Sequence, residues 1–296
     1  MSRVCRKGFT LVELSLSVAF ISILSITVAL IINDTVSSYQ RGLTLNKINT
    51  AGMELVDDMR AVIQSAPAGA LKDVCSTRLS EGAADKCRLD NAHKFVSVSR
   101  IANVSKSGES TIKNIPVFGA FCTGSYSYIW NSGYFFANGY SIREPSGAIV
   151  NMAKLVDGSG NTLASDFKLL KVKDKSFAVC TNATTGGDSS KYGEKISSDF
   201  VLGGIIFEEP EDLLSNNESE STDNNLAFYD LYSGVPAIND SGSALFYTVS
   251  FVLGTVQGGV NVKASGDFCK TPADYKSNFD YCAINKFNFA AQAIGG

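Results

Sequence analysis

Apolar residues are arranged differently in the first quarter of the chain and in the remainder. From Leu14 to Ile32 no residue is charged, and beyond this run apolar residues recur at helical spacing. Because no proline precedes Pro67, the pattern predicts one helix from Phe9 to Ala66, about 87 Å long at about 1.5 Å per residue. The second half of this helix has an apolar stripe that we expect to face the chain's own head: Val36, Tyr39, Leu43, Leu45, Ile48, Leu55, Met59, Val62 and Ala66.

Two glycines, Gly42 and Gly52, lie in this second half. Each lowers helix stability by about 1 kcal/mol relative to alanine. They indicate either bends or positions where glycine is simply tolerated.

The uncharged run Leu14–Ile32 has the length of a membrane span. Its 19 residues extend roughly 28 Å as a helix, which is enough to cross the hydrocarbon core of a bilayer. Arg3, Arg6 and Lys7 precede the run, and positive residues remain on the cytoplasmic side. The sequence therefore predicts a single-pass membrane protein with a cytoplasmic N-terminus and its head outside.

Beyond Pro67 the pattern changes to short runs of strand type, separated by turn signals such as Asn131-Ser132-Gly133 and Asn138-Gly139. One long helix followed by strands predicts an α+β fold, with the helix packed on a largely antiparallel β-sheet head. The candidate strands are Phe95–Ile101, Ile112–Cys122, Ser125–Trp130, Tyr134–Phe136, Ala148–Val156, Phe167–Val172, Phe177–Cys180, Phe200–Phe207, Ala244–Val256 and Tyr281–Phe289.

The charge pattern narrows the range of partners. The net charge of −3 and the pI near 5.3 argue against nucleic-acid binding, since no block of clustered Lys and Arg appears. Residues 208–225 are rich in Asp, Glu, Ser and Asn, and they predict a solvated, mobile loop.

The start of the chain, Arg6-Lys7-Gly8-Phe9-Thr10-Leu11-Val12-Glu13, places a lone carboxylate at the edge of the apolar run. A charged residue inside a membrane costs about 2.5–3.5 kcal/mol at the helix centre, so such a residue usually has a function. A secretory signal fits less well, because Leu30-Ile31-Ile32 continue the apolar run past the loose cleavage site Thr27-Val28-Ala29. A simple membrane anchor explains the length of the run but not Gly8, Phe9 or Glu13.

These residues resemble the processing site of type IV prepilins, the precursors of pilins and of type II secretion pseudopilins. The resemblance implies that residues 1–8 are a leader, that a prepilin peptidase cuts between Gly8 and Phe9, and that Phe9 is then N-methylated. It implies an assembly helix over residues 9–66 and a globular head over residues 67–296. In a filament, Glu13 would neutralise the terminal amine of Phe9 on a neighbouring subunit.

The partners implied by the resemblance are other pilin subunits, the prepilin peptidase, the inner-membrane assembly machinery, and membrane lipid before assembly. The chain departs from the pilin pattern at one position, where many pilins have a proline as residue 22 of the mature chain. Leu30 occupies the corresponding position, which leaves open whether the helix melts there on assembly.

The chain has seven cysteines, of which Cys5 lies in the leader. The other six form an even set that allows 15 pairings, and an oxidising exterior favours disulfides over free thiols. Proximity favours Cys75–Cys87 and Cys269–Cys282, which leaves Cys122–Cys180. The Cys269–Cys282 segment resembles the C-terminal loop that many pilins use for subunit contacts or adhesion; a plain surface loop is equally compatible.

No candidate for metal binding or catalysis is well supported. Asp157-Gly158-Ser159-Gly160-Asn161 begins like a calcium loop, but Thr162 and Lys168 stand where an EF-hand has Gly and Glu, so a hairpin turn is favoured. His93 is the only histidine, no CxxC spacing occurs, and no phosphate loop or nucleophile elbow is present. The sequence predicts no enzyme and no cofactor.

An aromatic run offers a possible binding surface, although alternate members are expected to form the core face of a hairpin. It comprises Tyr126, Tyr128, Trp130, Tyr134, Phe135, Phe136 and Tyr140.

The leading hypothesis is a structural subunit of a filament, and the large head favours a minor pilin. A tip adhesin or DNA-capturing module on a pilin stalk and a secretion pseudopilin are the alternatives. A membrane-anchored enzyme is disfavoured.

Overall fold

The computed structural model describes most of the first helix and the sheets of the head. The described residues are 10–66, 97–106, 111–137, 139–174, 178–183, 196–202, 208–214, 226–233, 237–238, 245–256 and 283–293. Several predicted features lie outside them: Gly8, Phe9, Pro67, His93, Cys75, Cys87, Cys269 and Cys282.

Helix α1 spans Leu11–Ser65 without interruption. Thr10 is its N-cap, with backbone in the extended region, and Ala66 ends it in the extended region as well. A residue before proline is biased to that region, so Pro67 explains the end of the helix. The long helix predicted from the sequence is confirmed over this range.

Thirteen strands, a 3-10 turn at Gly133–Phe135 and a short helix α2, Ala178–Ala183, follow in the described part of the chain. The strands are β1 (Ser97–Lys106), β2 (Ile112–Cys122), β3 (Tyr126–Asn131), β4 (Tyr140–Arg143), β5 (Lys154–Val156), β6 (Thr162–Ala164), β7 (Leu169–Lys173), β8 (Asp199–Val201), β9 (Glu211–Asp212), β10 (Leu226–Ser233), β11 (Ala237–Ile238), β12 (Leu245–Thr255) and β13 (Ile284–Ala293).

The strands form a largely antiparallel head against which α1 packs, so the predicted α+β class is confirmed. Six strands make one sheet in the order β4-β1-β2-β3-β7-β9. In a second sheet β12 is central, pairing with β10 and β11 and with β13. A third, small sheet has the order β6-β5-β8, and its β5–β8 pair is parallel.

Three of the predicted strands differ in the structure. The segment Tyr134–Phe136 contributes to the 3-10 turn, and Phe177–Cys180 falls largely in α2. Of Ala148–Val156 only β5 is a strand, with Ile149 in an isolated bridge to Arg143. Apolar side chains are needed at buried turns as well as in strands, and short apolar runs do not distinguish the two.

A buried amide connects the small sheet to the large one. The side-chain nitrogen of Asn131 donates to the carbonyls of Ala153 (3.0 Å) and Phe167 (3.1 Å), and its oxygen accepts from the Ala153 N–H (2.8 Å). The two larger sheets meet close by, where Ser132 bridges to Phe228 and the rings of Trp130 and Phe228 lie 5.8 Å apart. This junction fixes the relative position of the two larger sheets, both of which contact α1.

The helix contacts both larger sheets. On one side the ring of Phe287 from β13 lies against Gly52, and Asn285 donates to Asn49 (2.7 Å). On the other side Asp58 accepts hydrogen bonds from Tyr128 (2.8 Å) and Lys171 (2.5 Å). Among the described residues, these contacts place the head along the second half of the helix.

Gly52 has a packing role and does not mark a bend. A Cβ at this position would lie 2.0 Å from the Phe287 ring, whereas a Cβ at Gly42 would meet no atom within 4 Å. The close approach of a β13 aromatic ring therefore requires glycine at position 52 but not at position 42.

We expect Gly52→Ala to lower the free energy of unfolding by up to about 2 kcal/mol, because overpacking costs about 1–3 kcal/mol and the helical gain of about 1 kcal/mol offsets only part of it. Denaturant titration of the full chain in detergent micelles measures this change. Gly42→Ala is the matched control and should cause no loss. Stability of Gly52→Ala equal to that of the parent would contradict the packing role.

Candidate functional site

The first part of α1 projects beyond the head. Residues 11–36 and 38–43 are exposed or only partly covered, and among the residues whose burial is described the first buried one in the helix is Thr44. This projecting part is about 50 Å long at about 1.5 Å per residue. Within the described residues, α1 is the one helix long and apolar enough to cross a membrane, and none of its most apolar window is covered by the head.

The predicted apolar stripe of α1 is correct only in its second half. Ile48, Leu55, Met59, Val62 and Ala66 are buried against the head. In contrast, four predicted members are exposed: Val36, Tyr39, Leu43 and Leu45. The head begins farther along the helix than the apolar pattern indicates, since apolar spacing cannot show which partner covers a stripe.

Three of these four exposed stripe residues face away from the head. Tyr39 precedes the buried Ile48 by nine residues, which is about two and a half helical turns, so the two side chains point to opposite sides. Val36 and Leu43 lie within about 60° of the Tyr39 direction. The exposed fractions are 48% for Val36, 67% for Tyr39 and 51% for Leu43. We call these three residues the outer stripe.

At its start, α1 is capped by its own carboxylate. The Thr10 N–H and the Thr10 hydroxyl each donate to Glu13 Oε2 at 3.0 Å, and the Glu13 N–H donates to Thr10 Oγ1 at 3.3 Å. This capping box satisfies orphan N–H groups and places a negative charge at the positive end of the helix dipole. Glu13 thus has a partner within its own chain; its predicted partner, the Phe9 amine, lies outside the described residues.

Hydroxyl groups in the apolar run are satisfied internally. Ser15, Ser17 and Ser22 donate to the carbonyls of Val12, Glu13 and Val18 at 2.9, 2.7 and 2.8 Å. Thr27 donates to Leu24 O at 2.8 Å. Because each of these four hydroxyls has a partner within the helix, their cost in lipid would be low.

The head contains the predicted disulfide Cys122–Cys180, with a Cα–Cα distance of 6.3 Å. Both cysteines are fully buried. Beside it, the buried carboxylate of Asp174 accepts from the Ser127 hydroxyl (2.7 Å) and from the Ala178 and Val179 N–H groups (3.0 and 3.1 Å). The disulfide and the carboxylate together fix α2 to the end of the six-stranded sheet.

The Asp157 segment is a hairpin turn between β5 and β6. Asp157 Oδ1 accepts from the Ser159 and Asn161 N–H groups, both at 2.8 Å, and Oδ2 accepts from the Asn161 amide at 2.8 Å. These hydrogen bonds, the side chain of Asn161 first, lower the pKa of Asp157. No cluster of metal-ligating side chains occurs within the described residues.

The acidic segment is more ordered than predicted at its beginning. Residues 208–214 are described, and β9 pairs with β7. Glu208 pairs with Lys173, while Asp212 accepts from the backbone of Lys168, Leu169 and Leu214. The prediction of a mobile loop is wrong for this part, because the carboxylates bind specific donors; residues 215–225 lie outside the described residues.

Three of the seven members of the aromatic run lie in the core. Tyr128, Trp130 and Tyr134 are buried, and burial raises the pKa of Tyr128 and of Tyr134. Tyr126, Phe135, Phe136 and Tyr140 are partly covered. In the described head the exposed large apolar side chains are Ile149 and Tyr232. The described surface of the head thus has no exposed apolar surface as extensive as that of the projecting helix.

Two contacts made by α1 were not predicted from the sequence. Thr10 caps α1, and the Thr-x-x-Glu spacing of Thr10 and Glu13 is a capping-box signal that could have identified it. Asp58 ties the helix to the head, and no local pattern indicates a contact with Lys171, which lies far along the chain.

Comparison with protein-family models, curated proteins and solved structures finds no match.

Proposed function

We propose that this chain is a structural subunit of a type IV pilus-like filament, in the role of a minor pilin. The observation that carries the proposal is the projecting helix, whose large apolar side chains are exposed over about 50 Å. A filament of such subunits provides a cover for this surface along its whole length.

A bilayer alone would cover only part of the projecting helix. The uncharged run ends at Ile32, whereas the outer stripe extends to Leu43 and faces away from the head. Fully burying an aliphatic or aromatic side chain stabilises by about 1.5–3 kcal/mol. Parallel helices from other subunits would bury both the membrane run and the outer stripe, which is what assembly of a helical core requires.

Glu13 fits a subunit that exists in two environments. In the single chain its carboxylate is held by Thr10, which reduces the cost of a charge near lipid. In the filament, Glu13 would exchange this partner for the terminal amine of Phe9 on a neighbour. A buried charge without a partner is strongly destabilising, so the exchange would also select the axial position of each subunit.

Processing tests the proposal directly. We expect intact-mass measurement and N-terminal sequencing of the membrane form to show a chain that starts at Phe9 and carries one N-methyl group. Gly8→Leu is the control and should retain residues 1–8. A mature chain that starts at Met1 or near Leu30 would rule out the prepilin assignment.

A further inference from the structure

The outer edge of β13 is a long row of backbone groups beside which the described part of the chain places no strand. β13 pairs with β12 along all of its ten residues. On its other side none of the described strands lies next to it. The pairing with β12 has no register shift, so this edge is regular from end to end.

The pairing with β12 determines which backbone groups of β13 point to this edge. The Thr255 N–H donates to the carbonyl of Ala283 at 3.0 Å, and the register places these two residues opposite each other. In an antiparallel pair, residues that exchange hydrogen bonds alternate with residues whose N–H and C=O point away from the partner strand. Consistent with this alternation, the Lys286 N–H donates to the side chain of Asn285 at 2.8 Å. The residues whose backbone groups point outward are Ile284, Lys286, Asn288, Ala290 and Gln292.

The other sheet edges in the described chain are short or interrupted. β4, β6, β8, β9 and β11 are short strands of 4, 3, 3, 2 and 2 residues. β10 has a register shift and contains the charged Asp230. The part of β1 that β4 leaves unpaired also has a register shift, and its Arg100 donates to the carbonyl of Ile196 at 3.2 Å. Short strands, bulges and charges of this kind prevent a sheet edge from pairing with other chains.

β13 lacks these protective features from residue 287 onward. Residues 287–293 include no charged residue, no proline and no glycine. The outward backbone groups of Asn288, Ala290 and Gln292 recur at every second residue, about 6.8 Å apart. An extended backbone presents donors and acceptors at the same spacing. The edge therefore fits an extended peptide segment.

Helix α1 supplies an apolar side chain beside this edge. Met53 lies four residues after Asn49 and seven before Arg60, so the three share one face of the helix. This face lies against β13, because Asn49 accepts a hydrogen bond from that strand and Arg60 lies 5.8 Å from the centre of the Phe289 ring. Asp58, on the opposite side of the helix from Asn49, contacts the six-stranded sheet. Met53 is 54% exposed, and a strand added to β13 would lie next to it.

We propose that an extended segment of a different protein adds to the outer edge of β13 as a further strand of this sheet. Alternate side chains of the segment are apolar and contact Met53 on the helix side. The intervening side chains are polar and lie beside Asn288 and Gln292 on the solvent side. The segment is uncharged where it pairs with residues 287–293, since these residues offer no charge to neutralise.

A second copy of this chain fits the edge poorly. α1 and β13 run in the same direction, because Asn49 contacts Asn285 and Arg60 contacts Phe289. Two copies joined by antiparallel β13 strands would therefore point their projecting helices in opposite directions, and one membrane cannot receive both. The inference concerns the head and goes beyond the proposed function.

Photo-cross-linking in cells that make the full chain tests the inference. With p-benzoylphenylalanine at position 288, we expect a product that joins the chain to a different protein. Ala290→Pro in the same chain should lower the yield by at least about tenfold, because proline removes the outward N–H and blocks the approach of another backbone. The ladder to β12 should remain, since proline is tolerated where the N–H faces away from the sheet. Ala290→Thr is the matched control: it keeps the N–H, and its yield should stay within about twofold of the parent.

Gln292→Pro removes the next outward N–H and should act as Ala290→Pro does, with circular dichroism like that of the parent for both variants. Mass spectrometry of the product should place the cross-link in a partner segment whose residues alternate between apolar and polar. Three results would overturn the inference: no product, a product that contains only this chain, or an unchanged yield in a proline variant that folds. None of these results depends on processing at Gly8, so the inference and the proposed function can fail separately.

Discussion

Glu13→Val should leave the chain processed and inserted in the membrane but lower its amount in filaments by more than about tenfold. The variant removes the carboxylate that would neutralise the Phe9 amine of a neighbour, and an unpaired buried charge costs several kcal/mol. Insertion should not suffer, since valine is favourable in lipid and the loss of the Glu13 side chain from the capping box affects only the first turn of the helix. Immunoblots of the membrane and sheared surface fractions measure the ratio.

Ser22→Val is the matched control, because it also replaces a polar side chain in the apolar run by valine. The Ser22 hydroxyl donates within its own helix, so its loss should leave incorporation within about twofold of the parent, as expected where no contact between subunits is removed. Glu13→Ala should behave as Glu13→Val does. Normal incorporation of both Glu13 variants would show that the carboxylate has no role in assembly.

Cys122→Ser should lower the free energy of unfolding of the head by about 4 kcal/mol. The bridge to Cys180 spans 58 residues, and closing a loop of this size in the unfolded chain accounts for about 4 kcal/mol in the chain-entropy description. Loss of the bridge also frees one end of α2 from the six-stranded sheet. Denaturant titration of the oxidised chain in detergent micelles measures the change.

Cys269→Ser provides the comparison for this effect. The predicted bridge to Cys282 closes a short segment near the C-terminus, so we expect its loss to act mainly on that segment and to destabilise the head less than Cys122→Ser. Non-reducing peptide mapping establishes the pairing of the remaining cysteines. Equal destabilisation by both variants would contradict the distinct role assigned to Cys122–Cys180.

The long helix was predictable because its signals are local. An uncharged run, helical spacing and the absence of proline up to Pro67 all lie within one continuous segment. The end at Ser65 follows from the restriction that proline places on the residue before it. The start of the head at Thr44 was not predictable, since it depends on where Phe287 and Lys171 contact the helix.

Among the strands, β2 was predicted with its observed bounds, and β12 almost so. Both are long and strongly apolar. In contrast, β10 was not predicted. The acidic segment before it suggested a loop, and Asp230 interrupts the run of apolar residues in the strand. That carboxylate is partly buried, and burial raises its pKa to about 6. A short polar interruption in a strand cannot be recognised from local pattern alone.

The residues proposed for assembly come from the sequence, whereas the exposed helix face comes from the structure. Gly8, Phe9 and Glu13 were identified from their order in the sequence. The exposure of the outer stripe became visible only when the described head was placed beside the helix. Apolar spacing shows that a face is to be covered, and only the three-dimensional arrangement shows that the chain's own head does not cover it.

Immunogold labelling of shed filaments with an antibody against the head is the most direct test of the central claim. A minor pilin subunit predicts sparse or tip labelling of filaments from the parent strain and none from a Glu13→Val strain that still holds the chain in its membrane. Labelling along the whole length would indicate a major subunit. Filaments without label, from cells whose membranes contain the processed chain, would contradict the claim that it is a filament subunit.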